Sequence, residues 1–82
     1  PYCEPNPSNP LSTIKFKVDK PGYVRLDIFD IKGRRVRTLV DQVMSVGVFQ
    51  ATFDGSQLPS GTYFYRISSA SGNEVRKIML VR

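Results

Sequence analysis

The sequence predicts an all-β, antiparallel sandwich of six to seven strands. Three observations carry this. Apolar and polar residues alternate with a period of two in run after run, which is the pattern of half-buried strands. Turn chemistry interrupts the runs roughly every 8–12 residues, the spacing of sandwich strands joined by short loops. No window shows an apolar period near 3.6, so no α-helix is expected. A closed barrel built from the same strands is the competing architecture.

The first ten residues, Pro-Tyr-Cys-Glu-Pro-Asn-Pro-Ser-Asn-Pro, are crowded with proline. Such a segment is extended and polyproline-like. Residues 1–10 therefore read as a linker into the domain proper, or as an arm packed along the sandwich edge. Asn6-Pro7 and Asn9-Pro10 are its turn initiators. Residues 11–82 form the folded domain. Its first strand spans 12–18, with Ile14, Phe16 and Val18 inward and Thr13, Lys15 and Lys17 outward. Asp19-Lys20-Pro21-Gly22 ends it as a type II turn. The second strand spans 23–30. Val24, Leu26 and Ile28 make its core row, and Tyr23, Arg25, Asp27 and Phe29 its outer row. A hairpin joins these two runs, unless a sandwich places them in different sheets.

Residues 30–34 turn again, with Gly33 at the left-handed position. The third strand spans 35–40. Its alternation is broken near Thr38-Leu39, where a bulge is expected. Residues 41–47 lack a clean period and read as a loop tucking two apolar side chains over the core. Residues 48–54 form the fourth strand, with Phe49, Ala51 and Phe53 in one row. Asp54-Gly55-Ser56-Gln57 is loop chemistry that leads to Leu58-Pro59-Ser60-Gly61, a tight corner in which Pro59 fixes φ and Gly61 supplies φ > 0.

The strand that follows the corner has Tyr63, Tyr65 and Ile67 on one face and Thr62, Phe64 and Arg66 on the other. Both faces are partly apolar, which suits a central strand covered on each side. Gly61-Thr62-Tyr63 at a strand entrance also fits a tyrosine corner, in which the phenol bonds back to upstream backbone. That makes the stretch the penultimate strand of an immunoglobulin-like sandwich. Gly72-Asn73 reads as the next hairpin tip, and residues 74–82 as a last strand buried on both rows near its end.

At 82 residues the chain holds one small domain. It has a single cysteine, Cys3, so no internal disulfide forms; the sharper readings of that thiol are an intermolecular bridge or a reactive group. No apolar run approaches the roughly 20 residues of a membrane-spanning helix. The start at Pro1 suggests a fragment or a processed product whose secretory signal would lie upstream. The net charge of +5 is spread along the chain, clustering only over residues 32–37 at a turn, so nucleic-acid binding is not expected.

Catalytic chemistry is not expected either. The chain has no histidine, which removes the usual general base and the commonest metal ligand. One Cys makes no zinc site, and the seven carboxylates are scattered. Asp30 and Asp54 lie in loops but lack the Asp-x-Asp-x-Asp spacing of a calcium loop. No metal or cofactor is expected.

Four stretches carry a resemblance. Pro5-Asn6-Pro7-Ser8-Asn9-Pro10-Leu11-Ser12-Thr13-Ile14-Lys15-Phe16 resembles the opening of the type A C-terminal sorting domains of type IX secretion cargo. The likeness continues through Val24-Arg25-Leu26-Asp27-Ile28-Phe29-Asp30-Ile31-Lys32-Gly33-Arg34-Arg35-Val36. It resumes at Leu58-Pro59-Ser60-Gly61-Thr62-Tyr63-Phe64-Tyr65-Arg66 and at Lys77-Ile78-Met79-Leu80-Val81-Arg82. The immunoglobulin-like part of flagellar hook-capping proteins is similar as well.

The resemblance implies a non-catalytic address at the C-terminus of a larger cargo protein. Its implied partners are the outer-membrane translocon and a sortase-like peptidase, and its implied destination is the cell surface or the medium. Pro59, Gly61 and Tyr63 match the family's turn-strand motif, and Lys77 and Arg82 match the basic residues bracketing its last strand. The alternative function is a retained immunoglobulin-like module that assembles its parent protein or attaches it to a surface. Self-assembly or neighbour-domain contact would then run through the Pro-rich arm.

Overall fold

The computed structural model describes residues 2–4 and 11–81 and the side chains of 11–81. Seven strands form two antiparallel sheets: β1 (Tyr2–Glu4), β2 (Leu11–Val18), β3 (Gly22–Phe29), β4 (Arg35–Met44), β5 (Gly47–Asp54), β6 (Gly61–Ser69) and β7 (Gly72–Leu80). One sheet has the order β1-β2-β5 and the other β4-β3-β6-β7, with no helix among the described residues. The β2–β3, β4–β5 and β5–β6 connections each pass from one sheet to the other. The result is an immunoglobulin-like sandwich of two separate sheets rather than a closed barrel. The first turn accordingly crosses between sheets, and β2 and β3 do not form a hairpin.

Period-two patterning places the core. Ile14, Phe16 and Val18 of β2 face Val24, Leu26 and Ile28 of β3, with Phe53, Tyr63, Tyr65, Ile67, Ile78 and Leu80 completing the interior. Where the pattern falters, the backbone does too. Leu26 pairs with Val40 but Asp27 with Thr38, so the extra residue at Leu39 is a bulge where the alternation breaks.

Four expectations are corrected. Residues 41–44 continue β4 instead of looping, and only Ser45 and Val46 separate β4 from β5. Val43 and Val46 stay exposed, and Met44 alone packs against the core. The β6–β7 hairpin turns at Ala70-Ser71, with Ser69 paired to Gly72, so Gly72 opens β7 instead of forming the tip. β7 is an edge strand buried on one row only: Ile78 and Leu80 point inward, while Val75 is 58% and Met79 44% exposed. β6 is central within its sheet, between β3 and β7, but its outer face is open, with Arg66 exposed and Phe64 half-buried.

The outer row of β3 hides one surprise. Asp27 is 1% exposed although it faces away from the core. Thr38 donates to its Oδ1 at 2.8 Å and Arg25 Nε to its Oδ2 at 2.9 Å, so the carboxylate is desolvated and satisfied by groups of its own sheet.

The interior sets the stability of so small a domain. Leu26 lies on β3, flanked by β4 and β6, and has no solvent exposure. Leu26→Ala should cost about 2–5 kcal/mol through lost burial and the cavity left behind. The urea midpoint should fall with an unchanged slope; a midpoint equal to that of the parent chain would contradict this packing.

Candidate functional site

Three stretches far apart in sequence meet at one end of the sandwich. β3 ends there and β4 begins, joined by the turn over residues 30–34. β5 ends there, and residues 55–60 lead into β6. β7 finishes beside them, because Leu80 pairs with Gly61, and Leu11 at the start of β2 pairs with Asp54. This end is the turn pole.

The 30–34 turn is held by one carboxylate. Asp30 Oδ1 accepts from the backbone N–H groups of Lys32 and Arg34, each at 2.9 Å, and Oδ2 accepts from Arg34 Nε at 2.9 Å. Backbone bonds from Asp30 N to Arg34 O and from Gly33 N to Asp30 O close the loop. Gly33, at φ +83°, takes the left-handed conformation that this closure requires. The bond from the Arg34 backbone N–H is the main reason the Asp30 carboxyl lies below its ordinary value. Asp54 repeats the device in the next loop, accepting from Ser56 N at 3.0 Å, and its carboxyl is lowered chiefly by that bond. Both loop aspartates thus spend an oxygen on the backbone of their own loop. Among the described residues no cluster of three His, Cys, Asp or Glu is placed to hold a metal.

The corner itself is fixed from the core. Tyr63 is buried with its ring inward, and its hydroxyl donates to the Pro59 carbonyl at 2.7 Å. That is the back-bond of a tyrosine corner. Leu58 N donates to Gly55 O at 2.9 Å, turning the chain into the corner. A Cβ at Gly55 would sit 3.0 Å from both methyl carbons of Leu80, so the loop packs directly on the tail strand. Gly61 adopts φ +151°, and a Cβ there would meet nothing within 4 Å. Substitution at Gly61 is therefore opposed by the backbone alone.

The structure brings Pro59, Gly61 and Tyr63 together at the turn pole, with Pro59 and Gly61 exposed and Tyr63 beneath them. Lys77 stands apart, exposed on β7 opposite Phe64 on the outer sheet face. Arg82, the thiol of Cys3 and the turns expected over residues 5–10 lie outside the described residues. Sequence reasoning missed that Ile31 and Lys32 share a cleft of about 370 Å³ with Pro59, Gly61 and Tyr63. Strand parity places both turns at one end, but their lateral contact follows from the order β4-β3-β6-β7, which no local pattern encodes.

The family model of the secretion system C-terminal sorting domain matches residues 4–81. The chain belongs to this family of type IX sorting domains. Domains of the family mark proteins for export across the outer membrane to the cell surface or medium, and act as signals rather than catalysts. The match lends no support to the retained structural module. The chain matches no curated protein and no solved structure.

Two outcomes test this geometry. Tyr63→Phe removes one hydrogen bond and should cost about 0.5–1.5 kcal/mol without loss of fold. Its melting temperature should drop by several degrees; an unchanged value would deny the corner its back-bond. For Asp30, the folded value lies below the ordinary 3.8, so the unfolded chain binds the proton more readily as pH falls. Its contribution to the turn is present above pH 3.8 and lost as pH falls through the depressed value. The Lys32 and Arg34 amide signals should titrate together with a midpoint below 3.8, and a midpoint at or above it would contradict the assigned bonds.

Proposed function

We propose that this chain is the C-terminal address of a larger cargo protein and that the type IX apparatus reads its turn pole. The observation that carries the proposal is convergence. Three of the stretches that resemble the family's motifs come together at this one end: the 30–34 turn, the Pro59–Gly61 corner and the end of β7. In this reading Pro59 and Gly61 are contact surface, and Tyr63 positions them without being touched. Lys77 and Arg82 supply basic charge beside and beyond the last strand. The reader is the outer-membrane translocon, and a sortase-like peptidase removes the domain after passage.

The path of β1 supports this arrangement. Tyr2 pairs with Lys15 and Glu4 with Thr13, so β1 runs toward the turn pole. Cargo preceding β1 thus approaches alongside the middle of β2, from the direction of the opposite end.

A reporter fused ahead of the domain tests the reading. Deleting the domain should trap the reporter inside the cell. Gly61→Val should do the same, since a β-branched residue at this φ costs about 1–3 kcal/mol in backbone strain and displaces the corner. Tyr63→Phe, which keeps the fold, should lower export less. Normal export after deletion of the domain would refute the proposal outright.

A further inference from the structure

Ile31 is 72% exposed at the tip of the 30–34 turn, with a depression on each side. The first is the cleft of about 370 Å³ toward the corner, with Val36, Leu58 and Pro59 in its walls. The second, of about 300 Å³, opens onto the outer face of the four-stranded sheet, where Phe29, Phe64 and Val75 line it. Asp30 and Ile31 border both, so the two depressions are one surface crossed by a single ridge. Each is within or near the size range of small binding clefts, roughly 300–1,000 Å³.

The charges along this surface are unequal. Asp30 is committed to its own turn, and Arg34 is committed to Asp30. Lys32, on the rim of the first depression, has no side-chain partner among the described residues. Arg66, in the second, lies with its guanidinium 5.0 Å over the Phe29 ring. It pairs with Asp27 at 4.0 Å, on the same oxygen that Arg25 takes at 2.9 Å. One cation therefore stands in each apolar depression: Lys32 on the rim of the first, and Arg66, held by Asp27 only at 4.0 Å and 44% exposed, in the second.

We infer that the two depressions flanking Ile31 form one docking groove for an extended, acidic polypeptide segment of a partner protein, with its apolar side chains seated on either side of the ridge. The inference rests on the sorting-domain reading and names the surface and the chemistry of its reader. An extended segment fits because its side chains project at regular intervals and can straddle a ridge. Acidic character follows from Lys32, Arg66 and the chain's +5 charge, which steer an anionic segment and repel a second copy of this chain. Both walls of the first depression are held in place, one by the Asp30 bonds and the other by the Tyr63–Pro59 bond, so little ordering cost is left to binding.

The direct test uses the isotope-labelled chain and an acetylated, amidated hexapeptide alternating aspartate with leucine. The same peptide with lysine in place of aspartate is the control. Saturable shifts of the Ile31, Lys32, Ser60, Gly61, Phe64 and Arg66 amides are expected with the acidic peptide alone. Lys32→Glu should weaken them by roughly twofold or more while the melting profile is kept, and adding Arg66→Gln should weaken them further. Absent shifts, shifts scattered over the surface, or equal response to the lysine peptide would overturn the groove. So would concentration-dependent self-association through the same amides. In the export assay the double variant should trap the reporter. If it exports normally while deletion of the domain blocks export, the groove is refuted and the sorting reading survives. If deletion has no effect, the sorting reading itself has failed.

Discussion

The hydrogen bond from Tyr63 to the Pro59 carbonyl joins the two halves of this molecule's problem. Its ring belongs to the core, packed among the inward residues of β6, and its hydroxyl belongs to the pole. A buried tyrosine needs a partner for its O–H, since an unsatisfied hydroxyl in the interior costs about 1–3 kcal/mol. The Pro59 carbonyl lies outside any strand ladder and is within reach as the acceptor. One 2.7 Å bond satisfies the buried hydroxyl and ties the corner to the core. The shape of the exposed corner is therefore dictated by the packing beneath it. A surface held this way stays the same whatever cargo precedes it.

The two best-placed aspartates extend that logic to the electrostatics. Asp27 and Asp30 are three residues apart, yet one is sealed within the sheet face and the other caps a turn. Asp27 is enclosed by Arg25, Thr38 and Arg66, whose side chains form a polar clasp across three strands of the sheet. Asp30 draws three donors from its own loop. In both cases the negative charge is neutralised locally. The positive charge left on the outside includes exposed Lys32 and Lys77, and Lys17 and Lys20 toward the opposite end.

Most of the architecture was legible because one face of each strand is buried. Period two survives wherever one row is core and the other is solvent, as in β2, where Ile14, Phe16 and Val18 alternate with lysines. Even the bulge at Leu39 showed as a broken alternation, since an extra residue shifts the phase of everything after it. Four things were not legible, each for its own reason. The far half of β4 has exposed residues on both faces, so its pattern carries no period. The Ala70-Ser71 turn was displaced by the stronger turn chemistry of Gly72-Asn73 two residues on. The open outer row of β7 depends on that strand being at an edge, and an apolar side chain reads the same whether covered or not. Asp27 is the plainest case. An aspartate in an outer row is indistinguishable from a solvated one until Thr38, 11 residues away, is placed beside it by the β3–β4 register.

The candidate site was readable as parts and unreadable as a whole, and the reason bears on how a folded signal works. Pro59, Gly61 and Tyr63 announce a corner because their backbone constraints are local. Gly33 announces a turn for the same reason. Nothing local says that these two loops stand side by side. Their juxtaposition arises only when β3 pairs with β6 in the register that sets Phe29 against Phe64. A receptor that reads both loops at once therefore reads the pairing of strands distant in sequence. An unfolded or misfolded copy of the same motifs lacks that surface. If the proposed reader engages the turn pole, its recognition is also a check on folding, which a linear peptide of the same composition could not provide.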